Sequence, residues 1–218
     1  MKTIIFDLDG TILDTLEDLK NAVNHALNFY NYPEKDLEFV RKAIGNGTQV
    51  LIKRCTPCTI SEEEYRNVFA LFKSYYLEHY DDCTRAYERI KDLLMMLKGK
   101  CLLAVVSNKD NDLTQKLIKK EFQRLFDIIQ GSYLNKPKKP DPYLIDKIVD
   151  EHHIDKKNCL YIGDTNVDKE TADNAGLDYR LVSYGYRTKE ELEKMCPNDT
   201  PFSSVKELSA YLMKWVNL

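Results

Sequence analysis

Glycine and proline are scarce in this 218-residue chain, at eight and seven residues, which excludes collagen-like and low-complexity architectures. Long apolar runs are missing too. The longest clean one, Cys101 to Val106, is far short of the ~18 residues that a membrane-spanning helix needs. Ile4-Ile5-Phe6 stops at Asp7 and Asp9, so no secretory leader follows the early lysine and a cytoplasmic location is expected. Neither charge sign dominates. Lys and Arg total 32 against 35 Asp and Glu, a net charge of -3, whereas a general nucleic-acid binder is normally basic. Cysteine is too sparse for a disulfide scaffold, with six thiols at Cys55, Cys58, Cys83, Cys101, Cys159 and Cys196. Cys55 and Cys58 make a lone Cys-x-x-Cys without the second pair that structural zinc requires, so they read as structural or incidental thiols. His25, His79, His152 and His153 show no metal-ligand spacing. What remains is an ordinary apolar fraction of 43%, enough in a chain of this length to build a core without covalent or metal staples.

Four short apolar runs punctuate the chain: Ile4 to Phe6, Leu102 to Val106, Cys159 to Ile162 and Tyr179 to Val182. Such runs, rich in β-branched residues and without alternation, suit strands buried on both faces of a parallel sheet. Helix-like stretches separate them, one through Leu113, Leu117, Ile118 and Phe122, another through Tyr143, Ile145, Ile148 and Val149. The alternation predicts an α/β doubly wound, Rossmann-like core. From about Thr15 to Asp82 the rhythm breaks. Leu16, Leu19, Val23, Ala26, Leu27 and Tyr30 recur at helical spacing, as do Tyr65, Val68, Phe69, Phe72, Tyr75 and Tyr76. Residues 15–82 therefore read as a helical insert after the first strand, with 1–14 and 83–218 forming the core. The aromatic stripe reads as the insert's own core. Val205, Leu208, Leu212 and Trp215 predict a last helix packed on the sheet.

Each apolar run ends in a polar residue, and ligands in open α/β sheets bind at the carboxyl ends of the strands. Asp7, Ser107 and Asp164 should therefore converge. Asp7 and Asp9 point the same way if the first strand simply continues. Two such acids favour either a bound cation or a shared proton. Gly10 allows a tight turn there, and Thr11 stands where a calcium-binding EF-hand loop would need another acid. Ser107 and Asn108 can meet a phosphate oxygen at a strand end, with turn N–H groups assisting. Pro140 and Pro142 stiffen the loop carrying Lys139, after Lys136 and Lys138. Asp168, four residues beyond Asp164, can cap the helix running toward Ala175 while facing the crevice.

In order, Asp7-Leu8-Asp9-Gly10-Thr11, Ser107-Asn108, Lys139-Pro140 and Gly163-Asp164 with Asp168 resemble the four motifs of the haloacid dehalogenase superfamily. Within it the chain is similar to the small-molecule phosphatases of the phosphoglycolate phosphatase type, whose cap domain falls where the helical insert lies. The resemblance implies that Asp7 is the nucleophile, forming an aspartyl-phosphate. It implies Mg²⁺ held by Asp7, Asp164 and the backbone carbonyl of Asp9, with Asp168 orienting these ligands or their waters. Lys139 supplies a second positive charge, Ser107 and Asn108 hold phosphoryl oxygens, and Asp9 acts as acid and then base. An Asp at that place favours phosphate ester hydrolysis, or a sugar phosphomutase, over carbon–halogen or phosphonate cleavage. A non-catalytic phospho-Asp regulatory protein is the remaining alternative. Arg41 to Gly47 is similar to the cap of the phosphoglycolate phosphatases, making Arg41, Gly45 and Gly47 candidates for substrate specificity. Arg41, Lys53 and Arg54 either read a substrate carboxylate or are solvated helix charges. Tyr87-Glu88-Arg89 departs from the family's frequent Tyr-Pro-Gly. The implied partner is a small phosphorylated metabolite, without nucleic acid or membrane, met by a monomer or homodimer.

Overall fold

The β-branched run Thr3–Phe6 forms strand β1, fully buried. Residues 1–217 are described by the structure, a computed structural model. After β1 come β2 (Leu13–Asp14) and four helices: α1 (Leu16–Phe29), α2 (Leu37–Ala43), α3 (Thr48–Cys55) and α4 (Glu62–His79). The chain then returns through β3 (Arg85–Ala86) to α5 (Ile90–Leu97), β4 (Leu102–Asp110), α6 (Asn111–Phe122), β5 (Ile128–Ser132) and α7 (Tyr143–His152). It closes with β6 (Cys159–Gly163), α8 (Asn166–Ala175), β7 (Asp178–Leu181), α9 (Lys189–Met195) and α10 (Val205–Asn217).

Five strands make one parallel sheet in the order β5-β4-β1-β6-β7. Its two faces follow from the strand period of two. Ile4, Phe6, Leu103, Val105, Leu160 and Ile162 face α5, α6 and α10. Ile5, Ala104, Val106 and Tyr161 face α7 and α8. Helices on both faces are the doubly wound arrangement that the apolar runs predict. Trp215 is partly buried against the first of these clusters.

Strand β5 has no counterpart among those runs. Its sequence, Ile-Ile-Gln-Gly-Ser, carries only two apolar residues, and as an edge strand it pairs only with β4. Strand β4 runs beyond Val106 to Asp110 through a register shift, so Ser107 and Asn108 lie in its irregular end rather than past it.

Helices α1–α4 share a hydrophobic cluster built on Leu19, Val23, Leu27, Leu51, Ile52, Val68 and Phe72, joined from the sheet side by Leu113 and Tyr186. The stripe on α4 contributes Val68, Phe72 and Tyr76 to it. Two short segments join this helical region to the sheet. β2 and β3 pair antiparallel, Leu13 with Ala86 and Asp14 with Arg85. Beside them the buried Asp18 carboxylate accepts the N–H groups of Cys83 and Thr84 and the Thr84 hydroxyl, all at 2.8–3.1 Å. The six thiols are unbridged; Cys55 is buried and Cys58 exposed.

Candidate active site

Strand β1 ends at Phe6, and the backbone turns at once. The Leu8 carbonyl accepts the N–H groups of Thr11, Ile12 and Leu13 at 3.0–3.3 Å. The strand does not simply continue, and Asp7 and Asp9 meet different lysines. Asp7 faces Lys139, whose Nζ lies 2.6 Å away. Asp9 faces Lys109 at 2.9 Å and accepts the Thr15 hydroxyl at 2.7 Å. Gly10 has φ +89°, and a Cβ there would overlap the Asp164 carboxylate. The Asp7 turn can therefore approach β6 only with glycine at this place.

Asp7, Asp164 and Asp168 offer carboxylate oxygens that all lie within 4.8 Å of one another, and all three are buried. Lys139 is the cation among them, bonding Asp7, Asp168 at 2.7 Å and the Tyr161 hydroxyl at 3.0 Å. Three acids and one ammonium leave an excess of negative charge away from water. Burial, with Asp168 nearby and only partly offset by Lys139, pushes the Asp7 carboxyl up to about 7. Burial, reinforced by Asp168 and Asp7, raises Asp164 well above the usual range. Burial alone would lower Lys139, but Asp168 and Asp7 more than offset it and hold the ammonium charged. A site that resists its own negative charge and presents hard oxygen donors fits a divalent cation such as Mg²⁺.

Asp168 has a double task. It is the third residue of α8, not the cap; Thr165 occupies the cap position. The Asp168 Oδ2 accepts the Asp164 and Thr165 N–H groups and the Thr165 hydroxyl at 2.7–3.2 Å, while Oδ1 accepts Lys139. Asp164 is held in turn by the Tyr186 N–H at 2.7 Å.

Ser107 and Asn108 reach the same place from β4. The Ser107 oxygen accepts the Lys109 N–H at 3.2 Å. The Asn108 amide is committed to the Lys139 backbone, accepting its N–H at 2.7 Å and donating to its carbonyl at 3.0 Å. This clamps the Lys139 loop, so the Asn108 side chain positions a lysine.

These residues line a cavity of about 50 Å³ between the strand ends and the helical region, walled by Asp7, Asp9, Ser107, Asn108, Lys109, Lys139, Thr165, Asp168 and Tyr186. Leu19, Ile44, Gly45, Gly47, Thr48 and Leu51 line it from the helical region. Gly45 and Gly47 are among the lining residues. Arg41 is not. Its guanidinium pairs with Glu191 at 2.8 Å and Glu38 at 2.7 Å and donates to the Tyr186 carbonyl. Arg54 donates to the Ala43 carbonyl and the Asn46 side chain, and Lys53 is exposed. None of the three lines the cavity, and the expectation that Arg41 reads substrate is corrected.

A family model described as haloacid dehalogenase-like hydrolase matches residues 4–182. The chain belongs to the haloacid dehalogenase-like hydrolases. It is 31% identical to the phosphoglycolate phosphatase of Haemophilus influenzae strain Rd, covering 97% of this chain and 98% of that one. It is 30% identical to the phosphoglycolate phosphatase of Aliivibrio fischeri, covering 91% of each. A crystal structure from Lactobacillus delbrueckii subsp. bulgaricus, provisionally assigned as a phosphoglycolate phosphatase, superposes with TM-score 0.88 at 30% identity, covering 97% of this chain and 99% of that one.

As a haloacid dehalogenase-like hydrolase, the chain carries site residues that its motifs did not announce. Lys109 pairs with Asp9 and donates to the Tyr76 hydroxyl on α4 at 2.8 Å. Tyr186 bonds Thr15 and Asp164 and walls the cavity. One signal for it was Gly185, where a Cβ would overlap the Gly10 carbonyl. The departure at Tyr87-Glu88-Arg89 also has a structural counterpart. Arg89 sits at φ +67°, a left-handed position that favours glycine.

Proposed function

We propose that this hydrolase is a Mg²⁺-dependent phosphatase of small phosphate monoesters, phosphoglycolate-like in size, acting through an aspartyl-phosphate on Asp7. The observation that carries the reading is the buried trio Asp7, Asp164 and Asp168, two of which share Lys139, beside a cavity that also holds Asp9. The relatives' activity agrees with it.

Mg²⁺ held by Asp7, Asp164 and the Asp9 carbonyl would offset the surplus negative charge and polarise a phosphoryl oxygen. Asp168, with both oxygens already bonded within the protein, orients Lys139 and Asp164. An Asp7 carboxylate oxygen attacks phosphorus as the bond to the ester oxygen breaks. Asp9 gives its proton to that leaving oxygen. Asp9 then takes a proton from water, whose oxygen attacks phosphorus and breaks the bond to Asp7, releasing orthophosphate. Lys139 and Ser107 hold the transferring oxygens, and most of the rate comes from this positioning and charge balance. Residues 15–82 act as a cap over the core formed by 1–14 and 83–218. Their shared hydrophobic cluster, joined from the core by Leu113 and Tyr186, and the narrow connection at β2 and β3 support this division, and closure would exclude bulk water while the attacking water is held.

The test is phosphate release from an aryl phosphate, with Mg²⁺ and with EDTA, for the wild type and Asp7→Asn. Metal-dependent release lost in the variant supports the proposal. Activity persisting in Asp7→Asn overturns the nucleophile. Conversion of a hexose 1-phosphate without phosphate release would reassign the chain as a phosphomutase.

A further inference from the structure

We infer that Lys109 is the specificity residue of this site: it binds a carboxylate on the leaving portion of the substrate, one methylene from the ester oxygen. The inference rests on the phosphatase reading above and goes beyond it by assigning a residue and a spacing. Among the described residues, the cavity wall holds two cations, Lys109 and Lys139. Lys139 is committed to Asp7, Asp168 and Tyr161. An ammonium has three donors, and Lys109 directs one to Asp9 at 2.9 Å and one to the Tyr76 hydroxyl at 2.8 Å. Its third donor has no partner among the described residues, although its side chain is only 4% exposed. Arg41, the other obvious reader of an anion, is occupied by Glu38, Glu191 and the Tyr186 carbonyl.

The spacing follows from Asp9. As the proton donor it must lie within hydrogen-bond reach of the leaving oxygen. Lys109 lies one hydrogen bond from Asp9 on the same wall. A carboxylate one carbon beyond the leaving oxygen therefore comes within reach of the same ammonium without displacing Asp9. The Tyr76 hydroxyl, reaching in from α4, fixes the ammonium in place. Substrate anion, Lys109 and insert are thereby joined, so the cap closes best on a ligand that completes the lysine's coordination.

Inhibition by phosphonates reads this without relying on Asp9 as an acid. The assay compares 3-phosphonopropionate, which carries the carboxylate, with propylphosphonate, which lacks it. A hydrogen bond between two charged partners in a buried site predicts about a 10–100-fold preference for the carboxylate in the wild type. Lys109→Gln should reduce that ratio to within about threefold, mainly through the inhibition constant and KM, whatever it does to kcat. Lys109→Arg should keep most of it. Lengthening the spacer to 4-phosphonobutyrate in the wild type should weaken the preference, a comparison that needs no folded variant. A wild type indifferent to the carboxylate, or a Lys109→Gln protein that retains the ratio, overturns the inference and leaves the phosphatase reading intact. Failure of both phosphonates to bind, with no phosphate ester hydrolysed, overturns the two together.

Discussion

Two lysine–aspartate pairs stand side by side in this site and differ in charge balance. Lys139 is shared by Asp7 and Asp168 beside Asp164, so one positive charge meets three negative ones. Lys109 meets Asp9 alone and is braced by a neutral tyrosine. The first group is short of positive charge, and burial pushes two of its acids up. The second is balanced. The difference shows that a lysine beside an aspartate is not one motif with one meaning. On the proposed function, the surplus of acids is where a cation and a phosphoryl group would sit, and the balanced pair would serve proton transfer and recognition of what leaves.

The largest contrast is expected between the two aspartates. Asp7→Asn should lower phosphate release by at least about 10³-fold, as loss of a nucleophile commonly does. Asp9→Asn should cost about 10²–10⁴-fold on alkyl esters and distinctly less in the first step with an aryl ester, whose leaving group needs little protonation. Equal losses on both esters would erase the distinction drawn between the pairs.

Lys139→Met should come next. It leaves three buried acids without their cation and should destabilise the metal-free protein by about 3–5 kcal/mol, read by denaturant unfolding. Mg²⁺ should restore part of that loss.

The ease of reading these residues from sequence differed for a physical reason. Asp7, Ser107 and Asp164 were legible because each ends an apolar run, and a parallel sheet brings such ends together. The Asp9–Lys109 pair was not legible, since it joins the turn after β1 to the irregular end of β4 and no motif pairs the two residues. Arg41 misled because a helical arginine offers the same letters whether it meets solvent, substrate or Glu191. Strand β5 escaped because an edge strand with glycine and glutamine in it carries little apolar signal.

A smaller effect concerns pH. The Asp7 carboxyl moves from an ordinary 3.8 up to about 7 in the folded chain, so the folded state holds this proton more tightly than the unfolded one. Its contribution to stability is full below pH 4 and is lost as pH rises through 7. Thermal melts in EDTA should therefore show a loss of about 2–4 kcal/mol between pH 4 and pH 8 from this group. Mg²⁺ should recover more stability at pH 8 than at pH 5, because binding needs the carboxylates ionised. The smallest prediction is a control outside both pairs. Arg89→Gly should stabilise the fold by about 1 kcal/mol by relieving the left-handed backbone at φ +67°, with activity unchanged.

The covalent role of Asp7 is tested most directly by acid-quenching the Asp9→Asn protein during turnover of an aryl phosphate and weighing its peptides. Without Asp9 to activate water, the intermediate should accumulate. The account predicts one phosphate's mass on the peptide containing Asp7, and none in an Asp7→Asn, Asp9→Asn double variant. Phosphate release that proceeds without any mass gain on that peptide, or a gain that survives Asp7→Asn, would contradict it.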